Sequence, residues 1–397
     1  MGGKKTVVII KSSSWSSLHL VRNHPEYSAI INLVNRYNSK FRFVLVGSSK
    51  SSIRRVKLLE GVEAWDIPKR GAMGFLSYNI HILALLLYYR TDVAIVFGLQ
   101  KILPVALYSL IMPIFKYIPI FIGEFRYYGN KNIERTLFPL FFKVLGMFLG
   151  FSNRKISNMF TLSRYTRDNI KKIAPRLRGK IELISYPIHS IFHQTVDSIK
   201  SERFLKRETK LNVNKSGPTI LTVAGIEYRK GLDILIKAVS LVSKNIHLVV
   251  KGDIRESSYM VFLQDMINDL NINDKVTFIT KAVDYDTLVF YYNSATLFVL
   301  PTREDCLGVV ILEALHCKVP VIASNVGGIP DMIEDGVNGI LVQPNNPIEL
   351  AKAISLLINN SSLRRKLSTN TKQSLETRYY ASRISLAEAL KKSIENA

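Results

Sequence analysis

The sequence contains only two cysteines, Cys306 and Cys317, among 397 residues. Two thiols cannot build a disulfide framework, and no Cys or His residues stand at the spacing of a zinc site, so no metal site is predicted. The low cysteine content is typical of a protein of the reducing cytosol, although a surface protein without disulfides would have the same composition.

Long uninterrupted apolar segments are also scarce. The N-terminal apolar stretch covers only residues 6–10, shorter than the core of about 7–15 residues in a secretory signal, so secretion is not expected. Residues 102–123 are long enough to cross a bilayer, but they contain Lys116 and three prolines and end as a predicted strand. A membrane-spanning helix is therefore the disfavoured reading of this segment.

Acidic residues are few in the first half of the chain. Residues 1–210 contain 34 Lys and Arg against 12 Asp and Glu, a net charge of +22, whereas residues 211–397 contain 20 against 19. A half this basic is attracted to an extended anionic partner, either a lipid surface or a nucleic acid. No nucleic-acid motif accompanies the charge, so a nucleic-acid-binding protein is the weaker alternative.

Residues 137–151 are rich in Phe and lie between basic residues. The flanking cations are Arg126, Lys131, Arg135, Arg154 and Lys155. Apolar side chains next to cations are typical of an element that lies in the interface of an anionic membrane. The alternative is a buried helix between ordinary basic loops.

Apolar, β-branched strands alternate with helix-length stretches in both halves. The predicted strands are residues 6–11, 41–47, 91–98, 118–123, 159–163, 219–225, 246–252, 275–280, 295–301 and 319–324. This alternation predicts an α/β fold with two Rossmann-like, doubly wound parallel-sheet domains facing each other across a cleft at the carboxyl ends of the strands. The alternation of apolar strands and helix-length stretches is lost in the polar residues 193–217. The predicted organisation is an N-terminal domain over 1–192, a linker over 193–217, a second domain over 218–375 and C-terminal helices over 376–397.

Two adjacent cations, Arg229 and Lys230, follow the strand at 219–225 and precede a predicted helix. Arginine offers a fork of donors and lysine a point charge, so the pair suits a pyrophosphate. Gly231 frees the backbone of the turn. The tripeptide alone is a weak signal, because it is common in surface loops.

A second motif occupies residues 301–324, PTREDCLGVVILEALHCKVPVIAS, where a helix begins near Gly308. The backbone N–H groups of Gly308, Val309 and Val310 are expected to be unpaired in the first turn and to form a phosphate site. Glu313 lies among apolar residues of the same helix. A buried carboxylate needs a partner, such as a ribose diol.

Together these motifs resemble the GT4 group of retaining GT-B glycosyltransferases, in the glycosyl transferases group 1 family. The similarity covers most of residues 219–343, where the G-x-x-x-R-K-G turn, VVKGD, FVLPTRED with LGVVILEAL, VPVIASNVGGIPDMI and DGVNGILV follow the family's order. The resemblance implies that Arg229 and Lys230 contact the donor diphosphate. It also implies that Glu313 binds the ribose and that Asp305 lies beside the donor sugar. No metal or other cofactor is expected, since cations and a helix terminus neutralise the diphosphate.

The sequence departs from the family pattern in both halves. Asp305 stands where the family usually has Glu, and Glu304 precedes it, so either carboxylate can serve. The usual first cation of the phosphate turn is absent near Gly225, which leaves Arg229 to supply that charge. In the first half the family's Gly-Gly loop and frequent His are missing. Glu124, at the place of the His, is a catalytic candidate, although it can equally pair with Arg126.

The resemblance implies transfer of a hexose from a UDP- or GDP-sugar to an acceptor hydroxyl, with retention. Such enzymes usually bind the acceptor in the N-terminal domain. The basic first half therefore predicts a lipid-linked glycan acceptor and peripheral association with the inner face of the plasma membrane, in cell-surface polysaccharide or glycolipid assembly. A GT-B sugar-nucleotide epimerase is the enzymatic alternative.

Overall fold

The structure is a computed structural model that describes residues 4–11, 25–49, 53–59, 62–68, 71–97, 104–105, 108, 112, 116–121, 156, 158–193, 198–209 and 217–395. Internal contacts divide the chain into two units. The first comprises Met1–Pro187 and Arg383–Ala397, and the second comprises Ile188–Ser382. Each unit contains one β-sheet with helices, as expected of an α/β protein.

The sheet of the first unit is almost entirely parallel. Its strands are β1 (Lys5–Ile10), β2 (Phe41–Ser49), β3 (Arg54–Leu59), β4 (Val62–Pro68), β5 (Val93–Phe97), β6 (Lys116–Phe121), β7 (Met159–Thr161), β8 (Ile181–Ser185) and β15 (Ile384–Ser385). Within the described residues their order is β15-β8-β7-β6-β5-β1-β2-β4-β3, with only β3 antiparallel to its neighbour. The central strands read as continuous apolar runs because helices cover both faces of such a sheet.

Four described helices belong to the first unit: α1 (Pro25–Tyr37), α2 (Gly71–Tyr88), α3 (Arg164–Ile173) and α11 (Leu386–Glu395). The last of these comes from the C-terminus and packs on α1, where the Tyr37 hydroxyl lies 3.0 Å from Glu395. Lys392 Nζ also donates to Glu182 on β8 at 2.8 Å. The chain therefore returns to the first unit at its end, at residue 383 rather than at the predicted 376.

The second unit has a six-stranded parallel sheet. Its strands are β9 (Thr219–Val223), β10 (His247–Lys251), β11 (Val276–Ile279), β12 (Leu297–Leu300), β13 (Val321–Ser324) and β14 (Gly339–Val342), in the order β11-β10-β9-β12-β13-β14. This is the Rossmann order, in which the direction of winding reverses between the first and fourth strands. The reversal falls between β9 and β12, where Leu297 pairs with Ile220. The chain segments that follow β9 and β12 consequently meet where the carboxyl ends of these two strands lie.

The helices of the second unit are α4 (Ser198–Thr209), α5 (Leu232–Ser240), α6 (Ser257–Asp269), α7 (Tyr285–Ser294), α8 (Val309–His316), α9 (Pro347–Asn359) and α10 (Ser361–Ser374). Their apolar faces form a core with the sheet. Leu235, Leu263 and Ile354 are fully buried members of that core.

The predicted linker over 193–217 is wrong in part, because it contains α4. Phe204 packs 5.3 Å from Phe290 and 5.1 Å from Tyr291, and Ser201 and Leu205 are buried beside it. The buried positions lie three and four residues apart, which is one face of a helix. The many charges on the other face hid that pattern in the sequence.

No described helix has both the length and the apolar character needed to cross a bilayer. The candidate segment 102–123 is described only at scattered positions and at β6, which is a strand as predicted. Residues 122–151, which include Glu124, Arg126 and the Phe-rich stretch 137–151, lie outside the described residues.

Candidate functional site

The segment after β9 forms a short 3-10 turn, Tyr228–Lys230, that ends at Gly231. Gly231 has φ +65°, in the left-handed region, and a Cβ there would lie 2.2 Å from the carbonyl oxygen of Pro301. Only glycine meets both conditions without strain. This glycine brings the turn against the end of β12, at the reversal point of the sheet.

Backbone hydrogen bonds join the turn to the segment after β12. The Arg303 N–H donates to the carbonyl oxygen of Arg229 at 2.9 Å. The Thr302 hydroxyl lies 3.1 Å from the same oxygen and 2.8 Å from the carbonyl oxygen of Glu304. The two motifs found in the sequence therefore form one connected site.

The two predicted cations face carboxylates of that site. Lys230 Nζ donates to Asp305 Oδ2 at 2.6 Å, and Arg229 Nη2 donates to Glu227 Oε1 at 2.5 Å. Arg229 Nη1 also donates to the carbonyl oxygen of Glu304 at 2.9 Å. The side chains of both cations are largely buried, at 13% exposed for Lys230 and 15% for Arg229. They are held in place before any ligand is present.

Asp305 links these cations to helix α8. Its Oδ1 accepts the Gly308 N–H at 2.8 Å and the Leu307 N–H at 3.3 Å. Burial alone would raise the pKa of Asp305, but Lys230 and Arg229 outweigh it and hold the pKa below its ordinary value. The Asp305 carboxylate is thus ionised and holds the loop that precedes α8.

The prediction that the Gly308 N–H is unpaired is therefore wrong. Gly308 has φ +79°, which turns its N–H back to a side chain three residues earlier. Val309 and Val310 form the first turn of α8, as predicted. An aspartate whose side chain accepts a backbone N–H a few residues later is a local pattern that a sequence can signal.

Glu313 lies inside α8 and is 8% exposed. The Tyr292 hydroxyl, on α7, donates to Glu313 Oε2 at 2.7 Å. Burial raises the pKa of Glu313 to about 7, although the hydrogen bond from Tyr292 opposes the shift. A carboxyl group buried with one donor retains acceptor capacity for a further partner.

This raised pKa predicts how stability changes with pH. The folded protein favours protonated Glu313, so its contribution is complete below the ordinary pKa of 4.5 and is lost as the pH rises through about 7. Glu313→Gln should therefore gain up to about 3 kcal/mol over the wild type between those pH values. Denaturant unfolding from pH 4 to pH 8 measures the difference.

The control for that series is Glu376→Gln, since Glu376 is 62% exposed in the same unit. The curve of unfolding free energy against pH for Glu376→Gln should run parallel to the wild-type curve. A Glu313→Gln curve that also stays parallel would contradict the buried, protonated state of Glu313.

A second cluster supports the turn and was missed in the sequence. Arg303 Nη1 and Nη2 donate to the two oxygens of Asp233 at 2.9 and 2.8 Å, and Nη1 donates to the Tyr228 carbonyl oxygen at 2.7 Å. The guanidinium lies 3.9 Å above the Tyr228 ring, and Tyr259 donates to Asp233 at 2.5 Å. The bidentate Arg303–Asp233 pair and the bond from Arg303 to Tyr228 hold the 228–230 turn in place. Only the placement of Arg303 inside the second motif hinted at it.

Among the residues that the structure describes, no three His, Cys, Asp or Glu side chains are grouped as metal ligands. Glu124 lies outside the described residues.

Residues 204–374 match the family described as Glycosyl transferases group 1. That range contains the turn, Asp305 and Glu313. The predicted resemblance to the glycosyl transferases group 1 family is thereby confirmed for this part of the chain.

An uncharacterized glycosyltransferase of Methanocaldococcus jannaschii is 32% identical over 185 residues, which are 44% of this chain and 46% of that protein. The similarity thus spans about half the length of this relative.

Several solved structures resemble almost the whole chain. The sucrose-phosphate synthase of Thermosynechococcus elongatus has a TM-score of 0.76 and 15% identity, covering 99% of this chain and 98% of its own. The Anabaena protein HepE in complex with UDP-glucose has a TM-score of 0.71 and 15% identity, covering 99% and 100%. These likenesses show that the fold is GT-B, as predicted.

Proposed function

We propose that the protein is a retaining glycosyltransferase that moves a hexose from a nucleoside diphosphate sugar to an acceptor hydroxyl. The observation that carries the proposal is the joined site at the β9–β12 reversal, where Lys230 and Arg229 lie beside the start of α8 and Glu313 lies inside that helix. Open α/β sheets bind ligands at this position. UDP-glucose in the HepE complex supports a nucleotide-sugar donor.

In the proposed reaction Lys230 and Arg229 stabilise the charge that develops on the departing diphosphate. Both are already oriented by carboxylates, so little reorganisation is needed when that charge forms. Glu313 accepts hydrogen bonds from the ribose diol while Tyr292 holds it from the other side. Asp305 positions Lys230 directly, and either Asp305 or Glu304 lies beside the donor sugar.

The departing diphosphate takes up the proton of the acceptor hydroxyl on the same face of the sugar, which leaves the anomeric configuration unchanged. No enzymic base is required by this scheme, although Glu124 is the candidate for a second catalytic carboxylate. A metal ion is not required either, because two cations and the first turn of α8 face the diphosphate.

The net charge of the first half of the chain supports the proposed acceptor. The +22 net charge of residues 1–210 contrasts with the near-neutral second half. We assign the basic half to a lipid-linked glycan at the cytosolic face of the membrane, since anionic headgroups attract such a surface. The products are then cell-surface polysaccharides or glycolipids.

A donor panel tests the proposal. UDP-, GDP- and ADP-sugars are each added at a large excess, and the one that is the donor should raise the melting temperature by several degrees. A ligand at 100 times its dissociation constant adds about 2.7 kcal/mol of stability. The same donor should support sugar transfer to a lipid-linked acceptor in anionic vesicles, in excess EDTA.

Each arm of this experiment has its own contradictory outcome. No stabilisation by any nucleotide-sugar would refute the donor site, and activity lost in EDTA but restored by Mg²⁺ would refute metal independence. Equal transfer to a soluble sugar would refute the membrane acceptor. Release of an epimerised sugar without transfer would favour the epimerase alternative.

A further inference from the structure

The segment after β10 places a third cation at the same turn. Arg255 lies four residues beyond β10, and its side chain crosses the backbone of Gly225. A Cβ on Gly225 would lie 2.5 Å from Arg255 Nε and 2.7 Å from its Cδ. The absence of a side chain at Gly225 is therefore what lets the Arg255 side chain occupy this position.

The backbone of Arg255 is fixed to the phosphate turn. The N–H groups of Arg255 and Glu256 both donate to the carbonyl oxygen of Ile226 at 3.1 Å, and the Ile226 N–H donates to Asp253 at 2.8 Å. The Glu256 carboxylate accepts the Tyr228 N–H at 3.0 Å. Arg255 thus reaches the site from a rigid base.

Two guanidinium groups converge on a single carboxylate oxygen. Glu227 Oε1 lies 2.5 Å from Arg229 Nη2 and 3.7 Å from Arg255 Nη1. Glu227 is 16% exposed, whereas the Arg255 side chain is 50% exposed and its other partner, Asp253, is 68% exposed. An exposed pair of this kind holds Arg255 weakly, so Arg255 remains available to a ligand from solvent.

The charge balance of the turn shows why a third cation matters. Lys230 and Arg229 face two carboxylates, Asp305 and Glu227, so these four groups sum to zero. A diphosphate approaching them alone would meet a neutral cluster. Arg255 adds a third cation on the side open to solvent, where its other partner, Asp253, is itself mostly exposed and screened by water.

We propose that Arg255 is a third binding residue for the donor diphosphate, beside Arg229, with which it shares Glu227 Oε1 as a partner. This inference rests on the proposed function, since it assumes a diphosphate at this turn. Arg255 also supplies the positive charge missing near Gly225, which was predicted to come from Arg229 alone.

Calorimetry on two variants of the full chain, compared with the wild type, tests the inference. Arg255→Ala should weaken binding of the donor's nucleoside diphosphate, and of inorganic pyrophosphate, about tenfold, as expected for loss of one charge-assisted hydrogen bond. Binding of the free nucleoside should not change. Arg365→Ala, which removes an exposed arginine of α10, is the matched control and should bind like the wild type.

A double-mutant cycle tests the position of the side chain. Gly225→Ala should displace Arg255 and weaken pyrophosphate binding, but it should have no further effect when Arg255 is already alanine. Additive effects of the two substitutions would overturn the placement of Arg255 over Gly225 in the bound state.

The failures of the two proposals are distinguishable. If Arg255→Ala binds pyrophosphate within twofold of the wild type while Lys230→Ala loses binding, Arg255 is not a diphosphate ligand and the proposed function stands. If Lys230→Ala also binds normally, or the wild type binds no nucleoside diphosphate, both proposals are overturned.

Discussion

Replacement of Lys230 by alanine should lower the rate of sugar transfer by about 100- to 1,000-fold, the effect of removing one preorganised donor from a developing negative charge. Arg229→Ala should have an effect of the same order. Lys230 Nζ lies 2.6 Å from Asp305 and is held there before the donor arrives. Steady-state kinetics with the donor identified in the panel measures both variants.

The fold should survive the loss of Lys230. The sequence suggested an exposed cation, whereas the structure shows one that is mostly buried, so a modest fall in melting temperature is expected. Asp305 keeps its hydrogen bonds from Gly308 and Leu307 in the variant. Lys237→Ala, on the exposed face of α5, serves as the control and should leave turnover unchanged. Turnover near the wild-type rate in Lys230→Ala would exclude Lys230 from catalysis.

Gly327→Ala is expected to destabilise the second unit by about 2–3 kcal/mol or more and to abolish donor binding. Gly327 has φ +56°, and a Cβ there would lie 1.8 Å from the carbonyl oxygen of Asp305. The Gly328 N–H donates to that same oxygen at 3.1 Å. The methyl group would therefore push apart the two segments that hold the Asp305 loop.

Gly336→Ala is the matched control for this substitution. Gly336 also has a positive φ, +73°, but no atom lies within 4 Å of a Cβ built on it. Gly336→Ala should lower the free energy of unfolding only by the left-handed backbone strain, about 1–2 kcal/mol. Donor binding should be retained. Thermal unfolding and donor calorimetry compare the two variants. Equal losses in both would show that the contact with Asp305 has no special role.

The fold was predictable from the sequence where strands are buried on both faces. The central strands β1, β2, β5, β9, β10 and β12 are mainly apolar, and each was found within a few residues of its observed bounds. The edge strand β3 and its neighbour β4 were missed, because RRVKLL and VEAWDIP mix charged and apolar residues. A strand at the edge of a sheet is not required to be apolar on both faces.

The site was predictable where its parts are adjacent in sequence. Arg229 and Lys230 mark their own turn, and Asp305 lies three residues before Gly308, whose N–H it accepts. Contacts between distant segments gave no such signal. Arg303 pairs with Asp233 across 70 residues, and Tyr292 reaches Glu313 across 21. A single sequence reports local patterns, whereas these pairs depend on how the strands are ordered in the sheet.

The return of the chain to the first unit has a consequence for biosynthesis. Strand β15 and helix α11 complete the sheet and one face of the first unit, yet they are made after residue 382. The residues of the second unit are therefore all synthesised before the last pieces of the first unit. The first unit cannot complete its sheet until after residue 382 has been added. Loss of the last fifteen residues, although remote in sequence, would leave the N-terminal unit unfinished.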